Sequence, residues 1–143
     1  MKDSFLFFDV QIFSYKIKNQ LQYPRKIYCI DNGFVNYFGF KVSQDKGRMM
    51  ENCVAIQLFR NSNEDPRIKL FYWKSKIGEE VDFVIKDRLR IKQLIQVCHD
   101  ISDLDTKKRE LRSLIKASKE LKCNNLLIIT EDKKEKKPLK RKR

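Results

Sequence analysis

The sequence predicts an α/β fold: an αβββαβ core with a mixed sheet, preceded by a short hairpin. Three observations carry this. The 143 residues make one domain's worth of chain, enough to bury a core. From residue 46 onward the apolar pattern runs in the order helix, three strands, helix, strand. The second helical stretch leads back into a fully apolar strand, Leu126-Leu127-Ile128-Ile129-Thr130. Such a return implies a βαβ crossover, and hence some parallel pairing.

Phe5-Leu6-Phe7-Phe8-Asp9-Val10-Gln11-Ile12-Phe13 is aromatic and β-branched and suits a strand. A polar link with Asn19 and Pro24 leads to a second strand-like run, Lys26-Ile27-Tyr28-Cys29-Ile30, which Asp31-Asn32-Gly33 breaks. Residues 34–40 form a short aromatic segment, read as a helical turn on the core. Over 46–61, Met49, Met50, Cys53, Val54, Ile56, Leu58 and Phe59 have helical spacing. Strands follow at 68–73, at 80–85 after a turn at Gly78, and at 89–98 after a turn at Asp87-Arg88. Ser102 and Asp105 are the expected caps of a helix running to about Lys122, with Leu111, Leu114, Ile115, Ser118 and Leu121 as its stripe. The last strand, being wholly apolar, is expected inside the sheet.

Net charge is +13 with pI about 9.7, which favours polyanionic partners without specifying a fold. More than half of the excess lies in residues 133–143, with eight Lys/Arg against one Glu; a tail so poor in apolar residues is expected to be solvated and disordered. Four cysteines without a Cys-x-x-Cys pair, and one histidine, argue against a zinc cluster. Each cysteine lies in or beside an apolar run, so buried thiols are expected. No apolar stretch approaches membrane-spanning length, and a cytoplasmic location fits best.

Strand alternation places Glu80 and Asp82 on one face, opposite Val81 and Phe83, and puts Lys92, Leu94, Gln96 and Cys98 on one face of the next strand. With Glu51 on the covering helix, Glu51, Asp82 and Gln96 could present three oxygen donors to Mg²⁺ or Mn²⁺, the hard-ligand arrangement that phosphodiester hydrolysis uses. Each also has a plainer reading. Glu51 near a helix start favours the dipole, Glu80 pairs with a nearby cation, Gln96 is a structural hydrogen-bonding residue, and Cys98 is a core thiol. Asp82, amid Val81, Phe83 and Val84, requires pairing or a metal.

The order from 46 to 130 resembles the PD-(D/E)XK nuclease superfamily, whose site is a helix glutamate, a strand aspartate and a Glu-x-Lys pair; this implies a restriction-endonuclease-like core. Lys26-Ile27-Tyr28-Cys29-Ile30-Asp31-Asn32-Gly33, Met50-Glu51-Asn52, Tyr72-Trp73, Glu80-Val81-Asp82-Phe83 and Leu127-Ile128-Ile129-Thr130 look like the nuclease-like module that follows the ATPase core in many archaeal and bacterial AAA+ ATPases. The resemblance divides the chain into a wing-like hairpin remnant of a winged-helix segment (1–30), a PD-(D/E)XK-like domain (31–132) and the basic tail (133–143). It makes the chain a standalone remnant, or a separate piece, of such an ATPase, and leaves Phe5, Phe7, Phe8 and Phe13 without all their expected cover. No Gly-x-x-x-x-Gly-Lys-Ser/Thr loop is present, so ATP is not bound in that family's manner.

Two positions depart from the pattern. Gln96 stands for the acidic ligand and weakens any Mg²⁺ or Mn²⁺ site. Cys98 stands for the lysine, whose loss commonly lowers rates about 10²-fold or more. A relocated lysine, Lys107 or Lys108, would compensate. The main expectation is a catalytically degenerate, nucleic-acid-associated domain, DNA favoured, binding through Lys107, Lys108 and Arg112 on the helix and Lys137, Lys140, Arg141, Lys142 and Arg143 in the tail. An active Mg²⁺-dependent DNA endonuclease is the alternative, and requires a cationic nitrogen within about 4 Å of the metal position. A protein–protein docking module, with an ATPase or winged-helix partner or as a homo-oligomer, is the third.

Overall fold

A computed structural model describes residues 6–31, 33 and 46–131; the expected aromatic turn at 34–40, Phe5 and the tail at 133–143 lie outside them. The chain is mixed α/β. Its elements are β1 (Phe7–Ile12), α1 (Ile17–Gln22), β2 (Lys26–Cys29), α2 (Lys46–Glu64), β3 (Ile68–Lys74), β4 (Glu80–Asp87), β5 (Arg90–Val97), α3 (Leu104–Leu121) and β6 (Leu126–Ile129). The six strands form one sheet in the order β2-β1-β3-β4-β5-β6. β3, β4 and β5 form an antiparallel meander, and the α3 crossover brings β6 parallel to β5.

The meander follows from its turns. Gly78 adopts φ +93° between β3 and β4, a left-handed conformation that glycine enters without steric penalty. Arg88 takes φ +57° in the tight connection after Asp87. The cap of α3 is Asp103 rather than Ser102 or Asp105: its carboxylate accepts from the Thr106 backbone N–H at 3.0 Å and from its hydroxyl at 2.7 Å. At the other end Lys122 closes the helix at φ +54°. The connection between β1 and β2 is not purely a link, since it contains the one-and-a-half-turn helix α1. A six-residue helix with no buried side chain has little periodicity to reveal it.

The hairpin belongs to the body. β1 pairs antiparallel with β2 and parallel with β3, through Gln11↔Phe71 and Ile12↔Tyr72, and the Phe13 N–H donates to the Tyr72 carbonyl at 2.6 Å. Phe8, Val10, Ile12 and Tyr28 pack with Ala55 of α2 and with Phe83, Ile85 and Ile95 in one core. The boundary expected at residue 30 therefore divides a single sheet and a single core. For Phe8 and Phe13 the shortage of cover is corrected likewise: both are buried, with the Phe8 ring stacked on Phe59 at 4.2 Å, whereas Phe7 is half-buried. The opposite face carries a second core of Trp73, Val81, Val84 and Leu94 under Leu114, Ala117 and Leu121 of α3.

Among the described residues β6 is an edge strand, not an inner one, although its sequence is fully apolar; there it pairs with β5 alone and Leu127 stays partly exposed. The thiols divide: Cys29 and Cys123 are buried, whereas Cys53 is exposed and Cys98 intermediate. Cys53 faces away from the sheet because α2 buries Asn52 and Ala55 instead.

Candidate functional site: an acid cluster closed by a lysine

Three strand ends and one helix meet at the site. Register pairs Phe71 with Val84 but Trp73 with Val81, so β4 carries one extra residue at this point. Such a bulge re-aims side chains. Val81 and Val84, which strict alternation would separate, both pack under α3, while Phe83 goes to the α2 side. The expected grouping of Val81 with Phe83 fails for this reason. Glu80 and Asp82 nonetheless reach a common point, where each forms an ion pair with Lys26.

Lys26 stands at the start of β2 and reaches across β1 and β3. Its ammonium passes 5.4 Å from the centre of the Tyr72 ring and lies 3.2 Å from Glu51 Oε1 and 3.5 Å from Asp82 Oδ1, with Glu80 Oε1 as its third partner. The Tyr28 hydroxyl, on the same side of β2 as Lys26, donates to Glu51 Oε1 at 2.6 Å. Glu51 is held there by its neighbour: Asn52 accepts from the Cys29 N–H and donates to the Cys29 carbonyl, each at 2.8 Å. α2 thus docks on β2 as a further strand would.

Three carboxylates face one ammonium in a partly dry setting. Asp82, 8% exposed, is pushed up to about 7 by burial and then by the Glu51 charge, against the pull of Lys26 and of the Val97 N–H, which donates to Asp82 Oδ2 at 2.9 Å. Burial works against the charge on Lys26, but Glu51, Asp82 and Glu80 outweigh it and raise its pKa. Burial, then Glu51, hold the Tyr28 phenol protonated. The arrangement can store a proton at Asp82 and present a fixed positive charge.

A stability profile should register that proton. The Asp82 pKa is raised above its unfolded value, so folding takes up a proton, and this stabilising contribution is lost as pH rises from about 4 through 7. Asp82→Asn removes it. The melting temperature of the variant minus that of the wild type should be more favourable at pH 8 than at pH 5; parallel profiles would refute the burial argument.

Gln96 does not join the cluster. Its Oε1 accepts from the Asp82 backbone N–H at 2.9 Å, and its Nε2 donates to the Glu80 carbonyl at 3.3 Å and to the Glu110 carboxylate on α3. The amide staples β4 to β5 and to the helix, which leaves its oxygen turned to a backbone donor. Lys107, Lys108 and Arg112 are exposed on α3, and the cation that meets the three acids is not one of them. It comes from the other edge of the sheet. Cys98 Sγ donates to the Asp100 carbonyl at 3.2 Å, and burial raises its pKa. His99 faces Glu131. Lys137, Lys140, Arg141, Lys142 and Arg143 lie outside the described residues.

Sequence reasoning missed Lys26, Tyr28 and Glu110. Alternation did offer a signal, since Lys26 and Tyr28 flank Ile27 and share a face. It went unused because a hairpin read as a separate unit gives no reason to look there for a partner to Asp82.

The residues do not fit a divalent ion. Among the described residues no group of three or more His, Cys, Asp or Glu side chains is placed to hold a metal, and the point where three carboxylates converge is taken by the Lys26 ammonium. Nor is any helix among the described residues long and apolar enough to cross a membrane.

Residues 46–141, well over half of the chain, match the family described as Domain of unknown function (DUF4143). The chain belongs to that family. It is also similar to "Uncharacterized protein MJ1544" of Methanocaldococcus jannaschii, 42% identical over 133 residues, covering 90% of this chain and 27% of that protein. That match reaches upstream of residue 46 into the hairpin that supplies Lys26, and the chain spans about a quarter of the relative's length. No solved structure matches.

Proposed function

We propose that this DUF4143 chain is a nucleic-acid-associated domain of PD-(D/E)XK-like character whose cutting centre turns over weakly or not at all. One observation carries the reading: Glu51 from α2 and Asp82 from β4, the two acids such a centre requires, meet at one point with Glu80. Gln96 and Cys98, at the remaining positions of the resemblance, supply neither an acidic ligand nor a cation. The family's resemblance to modules that follow ATPase cores makes an ATPase the favoured protein partner under this proposal.

Charge decides where nucleic acid would sit. Three carboxylates against one ammonium repel a phosphodiester, whereas Lys107, Lys108 and Arg112 are exposed and residues 133–143 hold eight cations. Binding should be strongly salt-dependent. Deleting 133–143 should weaken it, and substituting Lys107, Lys108 and Arg112 by alanine in that background should abolish what remains. Each phosphate-neutralising cation removed should lower the salt slope by about one. Glu51→Gln should leave affinity unchanged. DNA binding that vanishes with the tail alone would mean that the folded body reads no nucleic acid.

A second reading, an active Mg²⁺-dependent endonuclease, needs a cationic nitrogen beside the metal; Lys26, 3.5 Å from Asp82, is a nitrogen of that kind, and the reading requires it to move off the point where the three acids converge. Supercoiled, branched and single-stranded DNA incubated with Mg²⁺ or Mn²⁺ separates the two. Robust cleavage that disappears in Asp82→Ala would establish the second reading and end the first.

A further inference from the structure

We propose that Lys26 is the resident cation of this centre: its ammonium, held by Glu51, Glu80 and Asp82, stands in place of a divalent ion and keeps one out. The inference deepens the reading above, on which it rests for treating the cluster as a cutting centre. It also gives a reason why the acids that the resemblance assigns to a metal are not placed to hold one.

Each of the three acids directs an oxygen at Nζ, so the point that all three address is already filled. Asp82 Oδ2, which does not face the ammonium, accepts from the Val97 N–H, and Glu51 Oε1 receives the Tyr28 hydroxyl as well as the ammonium. A Mg²⁺ or Mn²⁺ ion requires oxygens at about 2.0–2.2 Å in near-octahedral array and gives up its waters reluctantly. It would have to expel an ammonium tethered at the same spot and break the bond to the Val97 amide. The tether supplies a high effective concentration, against which a free ion competes poorly. Raised Lys26 basicity follows from the same placement, while the proton held by Asp82 follows first from burial and then from the Glu51 charge.

Mn²⁺ tests the assignment directly, because it broadens nearby amide resonances. Titrated into the wild-type protein at pH 8, it should leave the Asp82 and Val97 amide signals intact at concentrations that broaden exposed acidic sites. In Lys26→Met, which keeps an unbranched apolar stem one atom shorter and without the charge, the same two signals should broaden, with Mn²⁺ bound about tenfold or more tightly than in the wild type. Lys26→Arg should behave as the wild type. Specific broadening of Asp82 and Val97 in the wild type, lost in Asp82→Asn, would overturn the proposal. So would a folded Lys26→Met protein that gains no Mn²⁺ affinity. Should Lys26→Met not fold, the wild-type and Lys26→Arg titrations decide alone. Nucleic-acid binding, measured by gel shift on the same samples, reports separately on the functional reading.

Discussion

Lys26→Met should destabilise the protein by roughly 3 kcal/mol at pH 8, the scale expected when one member of a largely desolvated ion network is removed and its partners remain. Few surface lysines would approach this, since an exposed pair typically contributes about 1 kcal/mol or less. The difference lies in what stays behind: Glu51, Glu80 and Asp82 converge on a point with no cation. The loss should shrink at pH 5, where the most buried of them, Asp82, carries a proton. Lys26 itself remains charged throughout this range, because its pKa is raised rather than lowered. Denaturant titrations at the two pH values check both parts. An equal loss at pH 5 and pH 8 would show that Lys26 acts through packing over Tyr72, not through the carboxylates.

Gln96→Glu is the change that would make the sequence conform to the pattern it resembles, and it should damage the protein without producing cleavage. The amide donates to the Glu80 carbonyl and the Glu110 carboxylate. A carboxylate in its place faces two acceptors and a like charge at a position 6% exposed. Loss of the donor together with that repulsion should cost about 2–4 kcal/mol at pH 8. Lower pH should relieve the penalty, because the introduced acid and Glu110 can then share a proton. Gln96→Glu combined with Glu110→Gln returns a donor from the helix side and should recover most of the loss, an interaction that a double-mutant cycle measures. A stable single variant with a new Mn²⁺ site would mean that the side chain swings to the acid cluster and that the staple is dispensable.

The residues most legible in the sequence were those governed by local rules. The turn at Gly78, the turn at Asp87-Arg88 and the amphipathic character of α3 each follow from chemistry within a few neighbours; of the expected stripe, Leu114, Ser118 and Leu121 are buried, whereas Ile115 is exposed and Ala117 is buried in its place. The helix α1 escaped notice for the same reason in reverse, because six residues with no buried face leave no pattern. Alternation correctly put Glu80 and Asp82 together, but misplaced Phe83. A bulge is a property of two strands, visible only once Val81 and Val84 have partners in β3.

The sequence by itself determined the alternation of elements, the excess of positive charge, and the presence of a helix glutamate and a strand aspartate near the ends of their elements. Only the tertiary structure decided which cation they meet. Lys26 lies 56 residues from Asp82 and on an edge strand three places away in the sheet, a proximity created by the parallel pairing of β1 with β3. Pairing of that kind brings distant segments together through long-range contacts, and no spacing rule along the chain encodes it.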